Sequence, residues 1–212
     1  MTVQTRIEGI AAPLPVANLD TDQIMPKQFL LRIDKAGLAK GLLYDMRFDL
    51  NGNSRPECVL NQAEYASTKI LVGGPNFGCG SSREHAVWGL QQYGIDAVIA
   101  PSFGEIFYSN AMNNKLMLVA LAQAEIDLLL ADINSPSDKH VLIDVESMTV
   151  RSKSLTAPFS LSERHRRMFL EGLDMVGATL AMQEQINEFA TSHWQKRPWL
   201  KNLASKTRDS LI

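Results

Sequence analysis

A chain of 212 residues with 45% hydrophobic and 21% charged residues has the composition of a globular fold with a sizeable core, not of a disordered, collagenous or membrane-spanning chain. Its 21 Lys+Arg against 23 Asp+Glu lack the cationic excess that neutralising nucleic-acid phosphates demands, so no DNA or RNA partner is expected. Two cysteines, Cys58 and Cys79, exclude a disulfide scaffold and are too few for the chain to hold an iron–sulfur cluster or a structural zinc by itself.

The apolar stretch 9–17 follows Glu8, is interrupted by Pro13 and Pro15 and lacks a small-residue cleavage site, so it does not read as a signal segment. No run reaches the roughly 18 apolar residues of a membrane span. A cytoplasmic, reduced protein is the expectation. A strand near residues 6–10, a helical turn over 26–31 and a polar loop over 51–57 are predicted first. From residue 68 apolar runs alternate with helical patterns, as in crossover units on a parallel sheet. The pattern predicts a strand over 70–72 closed by Gly73-Gly74-Pro75, and a helix over 82–92 ended by Gly94. A strand over 97–100 stops at Pro101, and Ser102 is placed to cap a helix running to 113. A strand over 116–121, a helix over 124–133 and a strand over 141–145 follow. A turn segment over 150–159 precedes helices over 162–170 and 177–194. The fold class is α/β, with a mostly parallel sheet flanked by helices; residues 1–195 form one domain and 196–212 a flexible basic tail.

The segment Asn76-Phe77-Gly78-Cys79-Gly80-Ser81-Ser82-Arg83-Glu84-His85 lies between a predicted strand and a predicted helix. Gly78 and Gly80 permit backbone shapes that let peptide N–H groups line a loop. Ser81 with Glu84 three positions on fits a capping box, which would start the helix there. The helix end and the planar fork of Arg83 together suit a carboxylate or phosphate, and Ser82 adds a second hydroxyl. A purely structural cap is the competing reading. A dinucleotide loop is disfavoured because Arg83 stands where the third glycine belongs and Asp96 precedes the next strand. A Cys79–His85 nucleophile pair is weighed against a small turn-filling residue and a packing histidine, and the latter roles are preferred. Upstream, Asn18-Leu19-Asp20-Thr21-Asp22-Gln23-Ile24-Met25-Pro26-Lys27 holds two carboxylates one residue apart, compatible with a metal site, an acid/base pair or an Asx turn.

These two segments, together with Pro101-Ser102-Phe103-Gly104-Glu105-Ile106-Phe107-Tyr108-Ser109-Asn110, closely resemble the small subunits of bacterial 3-isopropylmalate dehydratase, of the aconitase superfamily. The resemblance runs from about residue 7 to 183. It implies an aconitase-type swivelling domain that completes a two-chain hydro-lyase. The large subunit would be its partner and would carry a [4Fe–4S] cluster on three cysteines, and this chain would bind no cofactor. The reaction implied is isomerisation of 2-isopropylmalate to 3-isopropylmalate through an alkene, in leucine biosynthesis.

By the same resemblance Ser81, the first serine of the Ser-Ser-Arg-Glu run, is the catalytic base. Arg83 grips a carboxylate of the dicarboxylate substrate, helped by Ser82 and the loop N–H groups at Gly80, and Asp22 orients and balances charge. Lys27 and Arg32 are weaker suggestions. The superfamily's further substrate arginine is not carried over, because Asp34 stands where it would fall. Met25 replaces a usual isoleucine and Val87 a frequent proline. Leu42, Leu43 and Phe48 are candidates for an apolar wall around an isopropyl group, or for core. A citraconate or homoaconitate hydratase small subunit and a stand-alone carboxylate-binding module are the alternative readings.

Overall fold

Seven strands form one sheet in the order β4-β3-β2-β1-β5-β6-β7. They are β1 (Arg6–Leu14), β2 (Thr68–Gly73), β3 (Ala97–Ala100), β4 (Met117–Ala120), β5 (His140–Asp144), β6 (Thr149–Arg151) and β7 (Thr156–Pro158). The computed structural model describes residues 5–30, 37–135 and 138–209. The pairs β1–β2, β2–β3 and β3–β4 are parallel, whereas β1–β5, β5–β6 and β6–β7 are antiparallel. The α/β class follows from the sequence, with the parallel half where the crossover pattern predicts it and an antiparallel half added by the C-terminal strands.

All four residues of β3 are buried, which is why that strand reads as an unbroken apolar run without alternation. The registers Leu71↔Val98 and Val98↔Leu118 stack the apolar centres of β2, β3 and β4 beside one another. Strand β1 runs further than residues 6–10 predict. Its first half pairs with β5 (Arg6↔Asp144 to Ile10↔His140) and its second half with β2 (Ile10↔Thr68 to Leu14↔Gly73). Pro13 is tolerated because β1 beyond its β5 pairing has a ladder on one side only, where a missing N–H is admissible. The segment 150–159 is a strand hairpin, β6 and β7, and not merely a turn.

The helices are α1 (Thr21–Ile24), α2 (Tyr44–Arg47), α3 (Glu84–Tyr93), α4 (Glu105–Asn113), α5 (Gln123–Ile133), α6 (Glu163–Leu170), α7 (Met175–Leu180), α8 (Gln183–Lys196) and α9 (Leu203–Asp209), with single 3-10 turns such as Lys27–Phe29. Gly94 ends α3 in the left-handed region (φ 108°), as its position predicts. Ser162 caps α6 by accepting from the His165 N–H. Two starts differ from expectation. Helix α3 begins at Glu84 after Arg83, and α4 begins after Gly104, with no side-chain cap at either. Ser102 is diverted: its hydroxyl accepts the Asn76 N–H at 2.9 Å.

The chain divides into two compact units, Met1–Asp174 and Met175–Ile212. The first holds the sheet and the core. The second carries α7, α8, the turn Pro198–Leu200 and α9, so the expected helix 177–194 is two helices and the expected irregular tail is helical over Leu203–Asp209. No helix among the described residues is long and apolar enough to cross a membrane.

Candidate active site

Three loops leave the carboxyl ends of neighbouring parallel strands: residues 15–20 after β1, 74–83 after β2 and 101–104 after β3. This is where open α/β sheets place their ligand crevices. The loops are stitched by main-chain bonds. The Gly78 N–H donates to Leu19 O (2.7 Å), the Thr21 N–H to Cys79 O (2.8 Å), the Phe77 N–H to Ser102 O (3.0 Å) and the Gly104 N–H to Phe77 O (2.9 Å). Asn18 and Asn76 adopt φ 55° and 58°, a conformation asparagine tolerates better than most residues, and the Asn76 amide donates to Asn18 Oδ1 at 2.9 Å. Asn76 follows Gly73-Gly74-Pro75, a recognised turn signal, whereas Asn18, between Ala17 and Leu19, carries none.

Two glycines have different reasons to be there. At Gly78 (φ 74°) a Cβ would meet the Phe107 ring at 2.3 Å, so the position needs both the backbone shape and the space. At Gly80 (φ 91°) the nearest atom is Asp20 Cβ at 3.4 Å, so only the backbone shape requires glycine.

The capping box expected at Ser81–Glu84 does not form. The Thr21 hydroxyl donates to Ser81 O (2.9 Å), which holds the loop extended through Arg83 (φ -134°, ψ 112°), and Arg83 is itself the N-cap residue. Glu84 turns away and accepts from the Asn114 amide at 2.5 Å. Ser81 and Ser82 are exposed, and among the described residues neither hydroxyl is held by a hydrogen bond. The N–H groups of Gly80, Ser81 and Ser82 likewise donate to no described group.

The two carboxylates of the upstream run do separate jobs. Asp20 forms a true capping box: its Oδ1 accepts the Gln23 N–H (2.7 Å) while Gln23 Oε1 accepts the Asp20 N–H (3.0 Å). Asp22, one residue on, ion-pairs with the Arg83 guanidinium, and the contacting atoms are closed to solvent. The structure therefore brings together Ser81, Ser82, Gly80, Arg83 and Asp22. Lys27 is exposed and lines a cavity of about 260 Å³ with Asp22, Pro26, Gln28 and Asp45. Arg32 and Asp34 lie outside the described residues.

Leu42 and Leu43 are core, 0% and 1% exposed, and so are not an exposed wall. Phe48 lines a neighbouring cavity of about 250 Å³ that includes Tyr44 and Leu50. Met25 is fully buried against Gly89 and Gly41, where a Cβ would meet its Cε at 2.1 Å and its Sδ at 2.8 Å. The Cys79 thiol donates to Asn18 O at 3.3 Å and the His85 ring rests on Trp88 (4.9 Å between centroids), the turn-filling and packing roles preferred for them. Among the described residues no three His, Cys, Asp or Glu gather as a metal site.

The aconitase C-terminal domain model matches residues 1–124. A Chromobacterium violaceum protein described as 3-isopropylmalate dehydratase small subunit 1 is 76% identical over 211 residues, covering 100% of each chain. A Roseobacter denitrificans 3-isopropylmalate dehydratase small subunit is 45% identical over 92% of this chain and 98% of its own. A crystal structure of 3-isopropylmalate dehydratase from Methanocaldococcus jannaschii superposes with a TM-score of 0.60 at 28% identity, covering 86% of this chain and 98% of that one. The chain belongs to the family of 3-isopropylmalate dehydratase small subunits, built on the aconitase C-terminal domain.

Proposed function

We propose that this chain, paired with a large subunit in the cytoplasm, serves the dehydration and rehydration that turn 2-isopropylmalate into 3-isopropylmalate. The observation that carries the reading is the likeness along the whole length to small subunits of that enzyme. The site chemistry fits it. Dehydration of a hydroxy acid needs a base at carbon and an acceptor for the departing hydroxyl. Ser81 offers an exposed, unheld hydroxyl, and the free N–H groups of residues 80–82 with the Arg83 fork lower the cost of its alkoxide. That alkoxide takes the proton from carbon, and returns it to the adjacent carbon when water adds back.

Arg83 takes a substrate carboxylate as a planar, two-pronged donor, and its pairing with Asp22 keeps the fork from swinging free. Ser82 and the Gly80 N–H complete the carboxylate cradle. The two cysteines of this chain do not fit a [4Fe–4S] cluster: Cys58 is buried, the Cys79 thiol is engaged with Asn18, and among the described residues no group of three His, Cys, Asp or Glu gathers to hold a metal. We assign the cluster, and with it departure of the hydroxyl, to the large subunit.

The test is reconstitution. The isolated chain should be colourless and inactive, and activity should appear on mixing with the large subunit. Ser81→Ala should lower turnover about 10²- to 10⁴-fold, the range a positioned base contributes, with assembly intact. Turnover by the isolated chain, or an active Ser81→Ala complex, would overturn the reading. Rates with 2-isopropylmalate, citramalate and homocitrate separate this enzyme from its citraconate and homoaconitate relatives.

A further inference from the structure

The third family motif, residues 101–110, has no chemical role in the site, yet the helix it begins touches the Ser81 loop at both of its ends. At the amino end, the Gly104 N–H donates to Phe77 O and Phe107 fills the space that a side chain at Gly78 would need. At the carboxyl end, Asn114, the C-cap of α4, reaches across to α3. Its amide donates to Glu84 Oε1 at 2.5 Å, its Oδ1 accepts from Trp88 Nε1 at 3.0 Å and its carbonyl accepts from Gln91 Nε2 at 2.7 Å. Glu84, Trp88 and Gln91 are spaced four and three apart, so one residue binds a whole face of α3. Helix α4 has nine residues, about 13 Å of rigid rise, and Gly78 and Glu84 are fixed to its opposite ends. The reacting residues Ser81 and Arg83 lie between those two anchor points.

We infer that α4 is a splint for the catalytic loop and that Glu84 and Asn114 are positioning residues for turnover, Glu84 acting as a hydrogen-bond acceptor and not through its charge. The inference rests on Ser81 and Arg83 carrying the chemistry. Glu84 follows Arg83 directly, so losing its tether to Asn114 lets the start of α3 and the loop before it drift. A misplacement near 1 Å at a reacting group costs on the order of 10²-fold in rate.

The experiment uses the reconstituted two-subunit enzyme. Glu84→Ala and Asn114→Ala should each lower kcat by about tenfold to a hundredfold, and the double variant should be no slower than Asn114→Ala, because that substitution already removes the bond to Glu84 along with those to Trp88 and Asn110. Glu84→Gln keeps the acceptor oxygen and should restore wild-type kcat. Asn114→Asp, which keeps size and the acceptor for Trp88 but loses the donor, should lower kcat. Adding Glu84→Gln to it should recover part of the lost turnover by reversing the direction of the bond between positions 84 and 114, while the amide's bond to Asn110 O stays broken.

This exchange also decides the matter if an alanine variant fails to fold. Wild-type kcat in Glu84→Ala overturns the inference, as does a Glu84→Gln variant as slow as Glu84→Ala, which would mean that the charge itself acts. Ser81→Ala run alongside separates the two readings. If it stays active, the assignment of the base is wrong; if it is inactive while the Glu84 and Asn114 variants turn over normally, only the splint is wrong.

Discussion

Asp20 and Asp22 stand one residue apart and do unrelated work, one closing the first turn of α1 and the other holding Arg83. Asp20→Ala should therefore lower stability by about 1 kcal/mol, the usual loss for a helix cap, seen as an earlier urea midpoint. Asp22→Asn should leave stability nearly unchanged and raise KM in the reconstituted enzyme, as the Arg83 fork loses its partner. Gly78→Ala forces a Cβ into Phe107 at a positive φ and should cost about 2–5 kcal/mol in denaturant unfolding. Gly94→Ala, with nothing within 4 Å, should cost only about 1–2 kcal/mol for its backbone shape. The residue types of the site are legible in the sequence; their roles are less so. Ser81–Glu84 and Asp20–Gln23 have the same capping-box spacing, and only the second becomes one, because Thr21 ties down the Ser81 carbonyl from 60 positions away. Local spacing cannot register a bond of that separation.

Among the elements, β2, β3 and β4 are readable because strands buried on both faces are short apolar runs between Gly and Pro. The hairpin β6–β7 is not, since three-residue strands carry too few side chains to show a period. It is held instead by one carboxylate at the end of α5. Asp132 accepts from the Ser152 hydroxyl (2.5 Å), the Ser154 N–H (2.8 Å) and the Ser154 hydroxyl (2.8 Å). Burial pushes its carboxyl up, but those bonds and the charge of Lys153 together outweigh burial and hold it below the usual carboxylate value. Because the folded value is the depressed one, this contribution is complete above the unfolded value of about 3.9 and is lost as pH falls through the folded value. Asp132→Asn should lower the melting midpoint at neutral pH and flatten the acid limb of the stability curve below about pH 4, measured by thermal melts across pH.

For the molecule as a whole, the buried hydrophobic core ends at Phe169. No residue of 175–208 is buried, and nine of the twelve large apolar side chains exposed among the described residues lie between Met175 and Leu203. A chain cut after residue 174 should unfold in one cooperative transition with a midpoint close to that of the full chain; a truncated chain without a transition would contradict this. The sequence conveys the α/β plan of the first unit through its apolar periods. It does not convey the division at 174, since α8 reads as an ordinary helix.

The Ser81 loop, which follows β2, rests on stretches that follow two other strands, β1 and β3, and the last of its supports, Asn114, arrives more than thirty residues after the serine itself. A partly synthesised or partly unfolded chain thus has the Ser-Ser-Arg-Glu motif in its letters but not its loop in space. Ordering of the loop therefore waits on the chain as far as Asn114.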